Sequence, residues 1–209
     1  MARKPLLTKN QKINRDMENF TGELIQEIED GKLIINYKLG KKNGPTRVVN
    51  KKGILVSETN YKDDEIHGPL KLYHNNGSPL SIINYEFGLQ NGESLSFFEN
   101  GVKQTESSYK YGKLDGKFII YDEFGDKIGE CFYVNGDKNG KNFVYYPKAQ
   151  GGGVFELSVY EKGSLTGNKI SFYPSGEVMS ITPYTNGKAQ TYPKNYDKKG
   201  NVISWTPEF

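Results

Sequence analysis

The sequence predicts an all-β chain, an elongated open antiparallel sheet of successive β-hairpin repeats. Three observations predict it. Glycine (24) and tyrosine (15) are abundant and long apolar runs are missing, which is the composition of short strands joined by many turns. Tyrosine recurs at a fixed interval, and glycines keep phase with it over seven copies.

The phase is read directly. Tyr37, Tyr61, Tyr85, Tyr109, Tyr133, Tyr160 and Tyr184 are 24 residues apart, except for one step of 27. Three residues after each stand Gly40, Asp64, Gly88, Gly112, Gly136, Gly163 and Gly187. Seven residues after each stand Gly44, Gly68, Gly92, Gly116, Gly140, Gly167 and then Thr191. Nine further on come Gly53, Gly77, Gly101, Gly125, Gly176 and Gly200, with Gly152 in the longer copy. Gly22 and Gly31, also nine apart, suggest an earlier partial copy. The repeat domain therefore covers 20–209 as seven units of 24–27 residues with a C-terminal cap. Residues 1–19 carry no repeat and read as a poorly ordered arm.

Within a unit the elements follow in order. A short strand comes first, as in Leu70–Tyr73, Ser94–Phe98, Phe118–Tyr121, Phe143–Tyr146 and Ile170–Tyr173. A turn follows at the last glycine, often as Asn76-Gly77, Asn100-Gly101, Ser175-Gly176 or Lys199-Gly200. A second strand follows the turn, as in Leu80–Ile83, Lys127–Phe132 and Phe155–Val159, and the repeat tyrosine ends it. The two-glycine segment, such as Tyr109–Gly116, is expected to cross to the next hairpin. Val49, Tyr73, Phe97, Tyr121, Tyr145, Phe172 and Tyr196 occupy one position per copy, with Leu95, Ile119, Phe143 and Ile170 two residues earlier in the middle copies. Alternation puts these on one face, where they form the expected core ladder. Arg47, Lys71 and Lys194 replace the apolar residue towards the ends, as capping units would. Trp205 is expected to cover the end of the ladder.

Charge is balanced, with 28 basic and 25 acidic residues and a net charge of +3, so nothing global points to nucleic acid or an acidic membrane. Cys131 is the sole cysteine and has no internal disulfide partner; it reads as a small hydrophobe beside Phe132. No apolar run reaches the length of a membrane span. The first ten residues lack an apolar signal-peptide core; the compartment stays open between bacterial cytoplasm and, if a leader precedes this sequence, periplasm or cell surface.

Chemistry is scarce. His67 and His74 lie in one hairpin without Cys or Asp at ligand spacing, which reads as a loop pair and not a metal site. There is no Gly-x-Ser-x-Gly elbow and no phosphate loop. No catalytic residue, metal or cofactor is assigned. The repeat tyrosines read as packing residues. Phe98, Tyr146 and Tyr173, just before the turns, alternate to the face away from the ladder and are candidate partner-binding residues. Lys148 and Gln150 join them, because they sit in the insertion that breaks the period.

The unit Tyr-x-x-Gly-x-x-x-Gly-x-x-x-x-aromatic-x-x-Asn-Gly, best formed at Tyr85–Gly101, resembles the MORN (membrane occupation and recognition nexus) repeats over about residues 20–205. It resembles more closely a longer bacterial variant, the YwqK family antitoxins. Asp64, Thr191 and the insertion before Gly152 depart from the pattern. The resemblance implies a twisted sheet of hairpins that scaffolds, binds lipid or protein, or neutralises a toxin, and it carries no catalytic residue. The expected function is a non-catalytic protein-binding module of the antitoxin or immunity type, its partner another protein and not nucleic acid. The alternatives are an envelope or surface structural module, or lipid-head-group binding.

Overall fold

Positive backbone φ angles fall where the glycine phase puts them, and strands fill the intervals between. In a computed structural model, residues 17–203 are described. The arm up to Arg15 and Asp16, and Trp205, lie outside the described residues. The fold is all-β and antiparallel. It divides into two units, ending at Gln90 and beginning at Asn91.

The first unit contains β1 (Gly22–Ile28), β2 (Gly31–Lys38), β3 (Lys41–Asn50), β4 (Leu55–Lys62), β5 (Glu65–Tyr73) and β6 (Pro79–Glu86). Each is paired antiparallel with the next along the chain. The second unit runs through β7 (Leu89–Phe97), β8 (Lys103–Lys110), β9 (Lys113–Tyr121), β10 (Lys127–Val134), the two-residue β11 (Asp137–Lys138) and β12 (Gly140–Tyr145). It continues with β13 (Val154–Glu161), β14 (Ser164–Phe172), β15 (Val178–Thr185), β16 (Lys188–Ala189), β17 (Lys194–Tyr196) and β18 (Val202–Ile203). Here too the ladder is a meander of neighbours.

Each repeat holds two turns. The wide turn lies at the expected glycine: the Asn50 N–H donates to Ile54 O at 2.9 Å, and the Phe98 N–H to Val102 O at 2.8 Å. Where the opening residue is Asn50, Asp122 or Asp197, its Oδ1 accepts two turn N–H groups. Where it is His74 or Phe98, Asn76 or Asn100 two residues later does the work through its own Oδ1. That substitution releases the opening position for an aromatic side chain.

The second turn corrects an expectation. The Tyr-x-x-Gly segment does not cross between hairpins; it is itself a hairpin turn of two residues, since Lys38 pairs with Lys41 and Lys62 with Glu65. Both central residues have positive φ, as in Leu39 (51°) with Gly40 (78°), the type I′ geometry that matches strand twist. Asp63 (51°) and Asp64 (72°) manage the same turn without glycine, and Asp64 Oδ1 accepts the Lys42 N–H at 2.8 Å. Tight turns lean on the preceding repeat: the Gly88 N–H donates to Ile66 O at 2.9 Å, and Gly136 to Leu114 O at 2.8 Å.

Six strands that follow a wide turn carry a bulge; β18 does not. Pairing skips Val56, Leu80, Gln104, Ile128, Phe155 and Met179 in turn, which bends the strand and strengthens its twist. The deepest residues form a row unlike the expected ladder. Ile35, Ser107, Cys131, Ser158 and Thr182, two residues before the repeat tyrosine, are buried. Across from Ser107 and Cys131 stands Phe118, edge-on to Tyr133 at 6.1 Å, so large rings cover small side chains. The serine hydroxyls in the row are satisfied: Ser107 donates to Ser94 O, and Asn142 Nδ2 donates to Ser158 Oγ at 3.2 Å. The expected ladder exists on the other face but is half-buried apart from Ile119. At its N-terminal end Arg47 and Lys71 do not cap. They flank Glu58 across the strands at 2.7 and 3.6 Å, making an ion triad within the sheet.

Candidate functional site

The wide turns of the second unit collect the residues singled out from the sequence. Phe98 opens the turn 98–102, Tyr146 opens the enlarged loop 146–153, and Tyr173 opens the turn 173–177. All three are half-buried. Tyr146 donates its hydroxyl to Phe172 O at 2.8 Å, and its ring meets Phe155 edge-on at 5.1 Å. Tyr173 donates to Tyr196 O at 2.8 Å, with Lys198 Nζ 5.7 Å from the ring centre. The two phenols thus bolt one wide turn to the next copy, and their remaining ring surface faces solvent.

The inserted loop supplies the exposed part. Pro147 leads into a single 3-10 turn, Lys148–Gln150, closed by Gly151 in the left-handed conformation. Gln150 is exposed, and Lys148 reaches back to Asp126 at 3.7 Å with most of its side chain in water. That contact joins the loop to the turn 122–126, which in turn accepts Asn100 Nδ2 on Glu123 O at 3.0 Å. Consecutive wide turns are therefore linked, and Phe98, Tyr146, Tyr173, Lys148 and Gln150 share one edge.

One residue of that edge was missed. Phe124 is 82% exposed, the highest exposure of any large hydrophobic residue described. Its signal lay in the comparison of copies: the same position holds Lys52, Asn76, Asn100, Ser175 or Lys199 elsewhere. The tight turns show a second set of the same kind. Leu39, Phe87 and Tyr111 are 65, 63 and 69% exposed at φ near 50°, where other copies place Asp63, Asn135, Lys162 and Asn186.

Electrostatics in the sheet is structural. The Arg47 hydrogen bond, with Lys71 beside it, holds Glu58 below the usual carboxylate range. Lys103 does the same for Glu106 at 2.8 Å. Lys103 and Lys127 are raised by their carboxylate partners, and Lys127 lies 4.7 Å from the Tyr145 ring centre. Burial pushes the Cys131 thiol up, which is the reverse of what a nucleophilic thiolate needs. His67 and His74 stand at opposite ends of β5, and among the described residues no three of His, Cys, Asp or Glu gather around a possible metal position.

Four segments, 66–86, 90–111, 114–135 and 165–186, match the MORN repeat variant. Each starts after a tight turn, passes through one wide turn and reaches the repeat tyrosine; the copy with the insertion is not among them. No curated protein matches the chain. Among solved structures, a porin-like protein from Bacteroides uniformis ATCC 8492 aligns at 11% identity over 82% of this chain and 92% of that one, with a TM-score of 0.21.

Proposed function

We propose that this chain is a non-catalytic protein-binding module whose recognition surface is the wide-turn edge of the second unit. Phe124 carries the reading. A phenylalanine almost wholly in water gains nothing for the fold, at a position that polar residues fill in other copies. Around it stand a charged loop residue, Lys148, an amide, Gln150, and the partly open rings of Phe98, Tyr146 and Tyr173. Aromatic anchors with a polar rim are the usual composition of a protein interface. The more specific form of the proposal is an antitoxin or immunity protein that neutralises a toxin by covering it; it is supported by the resemblance of the repeat.

The test captures partners from the source cell on the immobilised chain and on a Phe124→Ser/Lys148→Glu variant, and identifies them by mass spectrometry. The proposal expects a protein retained by the native chain and strongly depleted on the variant, with equal melting temperatures. A toxin in that position supports the immunity form, and an envelope protein replaces it with the surface-module form. Equal retention on both chains rules out this edge.

A further inference from the structure

The first unit holds a groove that the wide-turn surface does not use. It lies between the first two tight turns, Leu39-Gly40 and Asp63-Asp64, with a volume of about 740 Å³. Lys38, Lys41 and Lys62 line it against one carboxylate, that of Asp63. Among the described residues none of these lysines enters an ion pair. The neighbouring acid Asp64 is already engaged through Oδ1 by the Lys42 N–H. Tyr61 and Leu39 give the groove apolar walls, and the Tyr61 ring is held by Lys42 Nζ 5.0 Å from its centre. His67 also lines it, and its Nδ1 is buried without a hydrogen-bond partner.

The groove comes from the repeat, but its charge does not. The equivalent groove in the second unit, between Asn135-Gly136 and Lys162-Gly163, is lined by Asp137 and Glu161 against Lys162, with neutral polar side chains around them. The same backbone geometry therefore carries a cationic lining in one place and a weakly acidic one in another. We propose that the first-unit groove is a subsite for the carboxylate side chains of an acidic segment in a protein partner; this rests on the protein-binding reading above. Unpaired lysines over apolar walls suit carboxylates carried on a peptide, whose stems pack while their heads pair. A nucleic-acid strand fits less well. Stacking of successive bases needs open rings, and the face of Tyr61 is already covered by Lys42 Nζ.

The experiment titrates the isotope-labelled full chain with hexaglutamate, hexaglutamine, inorganic phosphate and a short RNA at about 0.15 M salt, read by NMR. Hexaglutamate is expected to shift signals of Asn43, Asn60 and His67, and hexaglutamine is not. Lys38→Gln/Lys41→Gln/Lys62→Gln should weaken hexaglutamate about tenfold with an unchanged melting temperature, while Lys162→Gln leaves it intact. Equal binding by the triple variant, or no response to hexaglutamate, overturns the proposal. Phosphate binding the same residues as tightly makes this a free-anion site, and tighter RNA binding makes it a nucleic-acid site; either result overturns the assignment to a partner's carboxylates. Phe124→Ser should keep hexaglutamate binding. A chain that still captures its partner through Phe124 but ignores hexaglutamate loses the groove alone.

Discussion

Leu39, Phe87 and Tyr111 show at residue scale where the fold is strained. A side chain with a Cβ in the left-handed region costs about 1–2 kcal/mol. Asn carries that cost best, because it hydrogen-bonds locally. Tyr111→Asn is thus expected to raise stability by about 0.5–1 kcal/mol, seen as a higher urea midpoint. Glycine matters most at Gly31, where an added Cβ would lie 2.0 Å from Val49 O, and it is needed at Gly116 too, where φ is 115° and an added Cβ would lie 3.1 Å from Ser108 Cβ. Gly116→Ala should cost about 1–2 kcal/mol by the same assay, and more than Gly167→Ala, whose Cβ would meet open space. The carboxylate of Glu58 sets a pH dependence. Its folded pKa is depressed, first by the hydrogen bond from Arg47, so its contribution is present above the unfolded value and is lost as pH falls through the folded one. Acid titration should show stability falling below about pH 4, and Glu58→Gln should flatten part of that fall.

At the scale of the element, the bulge decides what each strand presents. One skipped residue after each wide turn but the last changes which side chains lie opposite one another. The result is two modest cores on opposite faces. On one, Ile119 lies between Glu106 and Glu130, each neutralised by a lysine three residues earlier. On the other, Cys131 and Ser158 sit under rings and amides. Ile119→Ala should cost about 2–3 kcal/mol, the low end for a buried aliphatic residue, since a single sheet collapses readily around the loss. Tyr145→Ala, at a half-buried position, should cost less. Equal costs at the two sites would show that burial does not rank them. The copy that carries Thr191 departs furthest from the pattern: the chain leaves the ladder after β16 and resumes only at β17.

For the whole molecule, stability should follow pairing. Strands such as β9 and β14 are paired along both sides, whereas β17 and β18 have three and two residues. Amide hydrogen exchange should be slowest in β9 and β14 and fastest in β17 and β18. Uniform protection across the second unit would contradict this. Repeat architectures tolerate such gradients because each copy contacts its neighbours and little else.

The sequence by itself determined the period, the all-β class and the positions of the wide turns, because glycine phase and strand alternation are local properties of backbone and side chain. It also marked Lys148 and Gln150 as belonging to an inserted loop. Only the tertiary structure decided that Tyr-x-x-Gly is a second hairpin turn, that the small residues at Ser107, Cys131 and Ser158 form the deepest row, and that the hydroxyls of Tyr146 and Tyr173 reach the backbone of the following copy. The lysine groove at Lys38, Lys41 and Lys62 joins two repeats and is visible only once they are stacked. The physical reason is register. A periodic pattern states which residues are equivalent, but bulges and left-handed turns choose which of them meet, and that choice is made by neighbouring strands together.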